Sequence, residues 1–231
     1  MTESEPILRF QDVTVASQPP YESAIWKMSF DLLAGDLLLL RLEEEFTELP
    51  LADAAEGLVA PTEGAVQFLG RNWTGLSARE AAGARGRIGR VFLEEGWLDD
   101  LGVDENIMLA QRHHTRRTEA EIRQEAANLA QMFRLPGLPL WPPGRVRRQD
   151  LRKAACIRAL LGRPQLILLE NPTLGVYADL IAPLVNAVNA ARRGGAAVVW
   201  ATTEARVWDD PGLRATNRCK MFGSQMHRLT R

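Results

Sequence analysis

The chain is poor in cysteine: Cys156 and Cys219 are its two thiols, too few for a disulfide framework. Cys156 falls inside a helical apolar pattern and reads as a small core residue. No apolar run approaches the roughly 20 residues that a membrane span needs. The opening MTESEPI also lacks the basic-then-apolar order of a signal peptide. These absences lead us to expect a cytosolic protein that meets a membrane only through a partner. An excess of charge is lacking too, with 28 Lys and Arg against 29 Asp and Glu, which speaks against a general nucleic-acid binder. What is abundant is apolar: 46% of the 231 residues are hydrophobic, enough for one large domain or two small ones with a substantial core.

The chain is organised around GRPQLILLENPTLG, Gly162 to Gly175. Leu166 to Leu169 is a short unbroken apolar run, the pattern of a strand buried on both faces in the middle of a sheet. It ends in Glu170-Asn171-Pro172-Thr173, which delivers polar side chains to the carboxyl end of that strand, where open α/β sheets place ligands. Similar runs over 37–40 and 196–201, and alternating ones over 7–15 and 24–33, predict further strands. Ser77-x-x-Glu80 and Thr118-x-x-Glu121 are capping boxes that open helices. Ile122, Ala126, Leu129 and Phe133 then keep helical spacing until Pro136-Gly137. A helix over 178–193 should end at Gly194-Gly195. His113-His114, among Arg112, Arg116 and Arg117, reads as a solvated loop, since adjacent residues share no helix face.

LILLENPT, with Cys156-Ile157-Arg158-Ala159-Leu160 before it, resembles the LLLDEPT core of the ATP-binding cassette (ABC) nucleotide-binding domain, and the resemblance runs nearly end to end. It implies an α/β, P-loop NTPase-like fold with N-terminal antiparallel strands. The core would comprise 1–93 and 151–231, with a helical insert at about 94–150. Tyr21 is the nearest match to the family's adenine-stacking aromatic.

Residues that the family uses on ATP are replaced in this sequence. A phosphate cradle needs glycines that turn backbone N–H groups inward, a lysine on the phosphates and a hydroxyl on Mg²⁺. Here Glu45, Phe46 and Thr47 lie on that loop, Glu48 falls on the lysine and Leu49 on the hydroxyl. Unlike charges about 4 Å apart gain roughly 4 kcal/mol near a surface, so Glu in place of Lys converts attraction into repulsion of similar size. Leu93 stands on the metal-binding glutamine. Val146-Arg147-Arg148-Gln149-Asp150 stands on the LSGGQ signature, with Arg147 and Arg148 in its middle and Asp150 free to cap the next helix. Glu170 matches the Mg²⁺-linked acid, Asn171 the catalytic glutamate and Thr203 the histidine that contacts phosphate. An amide is no base near neutral pH.

These departures lead to the expectation of a non-hydrolysing subunit: no catalytic residue, no cofactor, no metal and no enzyme activity. The resemblance implies an integral-membrane ABC permease as partner, beside an intact ABC ATPase or a second copy, on the cytoplasmic face of an inner membrane. FLEEGWLDDLGVDENI looks most like ATPases of MCE-type lipid-transport systems. Trp97, Leu98, Leu101 and Glu105 are the expected docking residues, apolar anchors inside an exposed acidic rim that includes Asp104. Two alternatives stay open: an ATP-binding subunit that tolerates these replacements, and a free-standing regulator that uses Arg145, Arg147, Arg148, Arg152 and Lys153 on nucleic acid.

Overall fold

A computed structural model describes residues 5–17, 23–43, 48–94, 96–176 and 178–229. The two alternating segments near the start form antiparallel strands β1 (Leu8–Val15) and β2 (Ile25–Leu32). With β4 (Glu63–Phe68) and β5 (Arg71–Asn72) they make a four-stranded sheet in the order β2-β1-β4-β5. The unbroken apolar runs become β3 (Leu37–Arg41), β7 (Leu166–Glu170) and β8 (Ala197–Thr202), as expected for strands covered on both faces. Together with β6 (Ile88–Val91), β9 (Asn217–Phe222) and β10 (Gln225–Arg228) they form a six-stranded sheet ordered β10-β9-β3-β8-β7-β6. All its neighbours run parallel except β10.

The pleat of this sheet separates two cores. Leu37, Leu39, Ile167, Leu169, Val198 and Trp200 face a helical side. Leu38, Leu40, Leu166, Leu168 and Val199 face the four-stranded sheet and the short helix α1 (Leu51–Ala55). Covering the helical side are α3 (Val103–His114), α4 (Glu119–Met132), α5 (Arg148–Leu160) and α6 (Ile181–Arg193). Cys156 is fully buried there, as expected, and burial pushes its thiol pKa up to about 12. Helix α2 (Ala78–Arg85) and α4 open with both predicted capping boxes. A short α7 (Ala205–Trp208) follows β8.

Four local expectations change. Asp150 does not cap α5: Arg147 is the cap residue, and Asp150 sits in the first turn, paired with Arg147 at 2.9 Å. His113 and His114 form the last turn of α3 rather than a loop. The segment 178–193 begins as a 3₁₀ turn, and the α-helix starts at Ile181. Arg152, grouped by sequence with an exposed basic cluster, is 3% exposed, because its guanidinium is needed inside to hold Phe92 O and Leu93 O.

Candidate functional site at the strand ends

The carboxyl ends of β3, β8, β7 and β6 lie side by side and bring together Arg41, Thr202 to Glu204, Glu170 to Thr173, and Phe92 to Leu93. On the outermost of them is a residue that sequence reasoning missed. Arg90, on β6, is buried and gives Nε and Nη2 to the Glu170 carboxylate at 2.7 and 3.1 Å. Its Nη1 reaches Glu56 at 2.8 Å and also Asp53, both from the α1 turn. Leu93, whose side chain cannot ligate a metal, has its backbone carbonyl held by Arg152 Nη2 at 2.7 Å. Burial raises the pKa values of Glu56 and Glu170, and Arg90 opposes the rise at both. A lone arginine in a short strand carries no sequence signal for partners that lie 34 to 80 positions away.

Asn171 is 1% exposed and takes φ +43°, a left-handed conformation that Asn tolerates. Its Oδ1 accepts from Thr203 N at 2.8 Å and from Thr203 Oγ1 at 3.3 Å, so these two expected site residues are brought together. Thr173 Oγ1 bonds Glu204. At the ends of β7 and β3, two buried donors, Asn171 Nδ2 and Arg41 Nη1, have no acceptor among the described residues. Leu49 is buried, and with Leu42, Leu51, Ala52 and Glu170 it lines a cavity of about 20 Å³, room for roughly one water. Glu48 lies beside it, half-buried; Glu45 and Thr47, like Tyr21, lie outside the described residues.

The donor set decides what can be held here. A Mg²⁺ ion bound as the family binds it does not fit, because Leu49 offers no side-chain oxygen and both oxygens of Glu170 are engaged by Arg90. An anion fits better, since Asn171 and Arg41 each carry a buried N–H in want of an acceptor. Arg147 and Arg148 stand exposed at the start of α5, apart from this cluster.

The expected docking residues form a second region, around the start of α3. Leu98 is 52% exposed, whereas Trp97 is half-buried beneath the Arg158 guanidinium, 4.3 Å from its ring. Leu101 is half-buried. Glu105 is spent on the helix cap, accepting from Gly102 N at 2.9 Å. The exposed acidic rim is corrected at Asp104, which is 6% exposed and paired with Arg123 at 3.1 Å. Helix-cap geometry turns both acids inward, while Asp99 and Asp100 stay exposed. Asn106 fastens the loop, bonding Leu98 N and the carbonyls of Leu98 and Gly102 at 2.9 to 3.0 Å. Beyond α3, a groove of about 500 Å³ runs between this helix and the starts of β6 and β7. Arg87, His114, Arg158 and Arg163 line it, with no carboxylate among the described lining residues.

No family model matches the chain. Among curated proteins it is similar to a probable ribonucleotide transport ATP-binding protein of Mycobacterium leprae, 26% identical over 73% of this chain and 50% of that protein. It is similar also to the intermembrane phospholipid transport system ATP-binding protein MlaF of Haemophilus influenzae, 29% identical over 58% of this chain and 53% of that protein. The chain thus spans about half the length of these relatives. Its fold matches a dimeric ATP-binding cassette solved in a post-hydrolysis state with ADP and Pi, at TM-score 0.80 and 18% identity, covering 96% of this chain and 99% of that one. A solved ATP-binding subunit of an ABC transporter matches at TM-score 0.79 and 17% identity, over 96% and 90% of the two chains. These likenesses correct two expectations, that the chain is not an enzyme and that it takes no cofactor. The relatives are ATP-binding proteins, and a structural neighbour was captured after hydrolysis with its products. The chain has the ATP-binding-cassette fold, with its mixed α/β core and antiparallel N-terminal sheet, and its sequence resembles the ATP-binding subunits of ABC transporters.

Proposed function

We propose that the chain is the cassette subunit of an ABC-type transport system, seated on an integral-membrane permease at the cytoplasmic face of an inner membrane. The groove beside α3 carries this reading: it is open, lined by Arg87, Arg158 and Arg163 without a lining carboxylate among the described residues, and Arg158 links it to Trp97, 4.3 Å from that ring. A short permease segment bearing acidic residues suits it, with the exposed Leu98 as a further apolar contact. Phospholipid is the cargo class we propose, on the likeness of 92–107 to lipid-system ATPases and on the similarity to MlaF, a protein of phospholipid transport. A dimer with a second copy or with another cassette subunit belongs to the same reading, and a dimeric cassette is among the fold's neighbours.

Nucleotide enters this proposal through the relatives, all ATP-binding proteins. The buried donors of Arg41 and Asn171 would meet phosphate oxygens, in place of a lysine and hydroxyl, and Mg²⁺ would add little. Titration with ATP, with and without Mg²⁺, tests this. Saturable binding, little changed by Mg²⁺ and weakened about tenfold or more by Arg41→Met, is expected, because a charged hydrogen bond is worth ~1.5–3 kcal/mol. No saturation would remove nucleotide from the proposal. Affinity capture from detergent extract tests the transport assignment independently: recovery of a permease is expected, and none would overturn it.

A further inference from the structure

Phe92, Leu93, Gly96 and Trp97 lie between the strand ends and Leu98, and three arginines grip them. Arg152 donates to Phe92 O and Leu93 O at 3.0 and 2.7 Å. Arg158 donates to Gly96 O at 2.8 Å and lies 4.3 Å from the Trp97 ring and 5.3 Å from Phe92. Arg90 lies 4.4 Å from the Phe92 ring while its other edge holds Glu170. Glu170 and Trp97 are therefore linked through packed groups, Glu170 to Arg90 to Phe92 to Arg158 to Trp97. Arg158 also lines the cationic groove.

We propose that Arg90 and Arg158 are positioning residues that tie the docking loop to Glu170 through Phe92, so that a change of charge at Glu170 loosens Gly96, Trp97 and Leu98. Where Arg90 sits depends on a balance: Glu170 draws it toward β7, while Asp53 and Glu56 draw it toward α1. Neutralising Glu170 removes one side of that balance, and the guanidinium shifts off the Phe92 face. Phe92 shares Arg158 with Trp97, so its displacement reaches the loop through contacts that are already close-packed. The consequence for a partner rests on the proposed docking function, but the tie itself does not.

Amide hydrogen exchange of the whole chain tests it, read at Gly96, Trp97 and Leu98 and referenced to β8. Leu98 N, which bonds Asn106 Oδ1 at 2.9 Å, is a sensitive reporter. Glu170→Gln is expected to speed exchange at 96–98 about tenfold with β8 unchanged, and Phe92→Leu to do likewise. In the Phe92→Leu background, Glu170→Gln should add less than about twofold, the mark of coupled residues. Unmoved exchange at 96–98, an equal effect in both backgrounds, or parallel acceleration in β8 would each overturn the proposal. If Phe92→Leu does not fold, Arg158→Met serves as the background with the same expected and overturning outcomes. A chain that captures no permease yet shows the coupling would refute the docking function alone.

Discussion

At Arg90, three carboxylates meet one guanidinium, which leaves two negative charges in excess within a largely buried cluster. Burial is the larger influence on Glu56 and raises its pKa above 4.5, with Asp53 and Glu170 adding to the rise and Arg90 opposing it. A carboxyl that binds its proton more tightly when folded stabilises the fold at low pH. That contribution is lost as pH climbs from about 4.5 through the folded value. Glu56→Gln removes the charge while Asp53 and Glu170 keep Arg90 paired. It should therefore raise stability at pH 8, with the gain over wild type shrinking toward pH 5. Urea denaturation at the two pH values checks this, and a destabilised variant at pH 8 would show that Glu56 is held by Arg90 more strongly than burial opposes it. Apart from Glu170, this cluster was not legible in the sequence. Ile88-Gly89-Arg90-Val91 reads as a strand with one polar residue, and its partners come from α1 and β7, distant in the chain. Glu170, Asn171 and Thr203 were legible because each stands within two residues of the end of an apolar run.

Among the elements, α5 approaches β6 so closely that Gly89 has no room for a side chain. A Cβ there would overlap Ala159 O, a backbone atom that cannot turn aside. Gly89→Ala should thus separate helix from strand and cost about 2 kcal/mol or more, at the upper range of overpacking. A fall in the urea midpoint measures it, and an unchanged midpoint would mean that α5 can slide without loss. The strands and capping boxes were readable because period and cap chemistry are local. The acids at the start of α3 were misread for the converse reason: a run rich in Asp and Glu looks solvated, yet Glu105 turns back on Gly102 and Asp104 is drawn under Arg123. Sequence shows charge, while only the fold shows which charges are already satisfied.

For the whole molecule, the docking reading separates into two kinds of substitution. Leu98 is 52% exposed and contributes little to packing, so Leu98→Glu should lower permease recovery several-fold while leaving the melting temperature within about 2 °C. Trp97→Ala should lower recovery too, but with a loss of stability, because Arg158 loses the ring it covers. Capture compared with melting for each variant distinguishes the two. Equal recovery from wild type and Leu98→Glu would place the permease elsewhere. The fold class was legible, since the resemblance spans nearly the whole chain. The cationic groove was not, because its lining converges from α3, β6 and the loop after α5.

Strand β3 lies between the two cores with leucine at four consecutive positions, Leu37 to Leu40, each fully buried. In most strands a slip by one residue exchanges apolar for polar faces and is thereby forbidden. Here such a slip exchanges leucine for leucine, so the side chains of this strand do not encode its alignment. That information resides at its ends. Gly35 turns at φ +84°, Asp36 accepts from Leu33 N at 2.8 Å, Leu37 N is held by Thr216 Oγ1 at 3.1 Å, and Leu42 N is held by Thr202 O at 2.9 Å. The central strand of the sheet is spelled by its punctuation, and a change at Gly35 or Thr216 would be an error of reading frame in space, shifting Arg41 and all that follows it out of place.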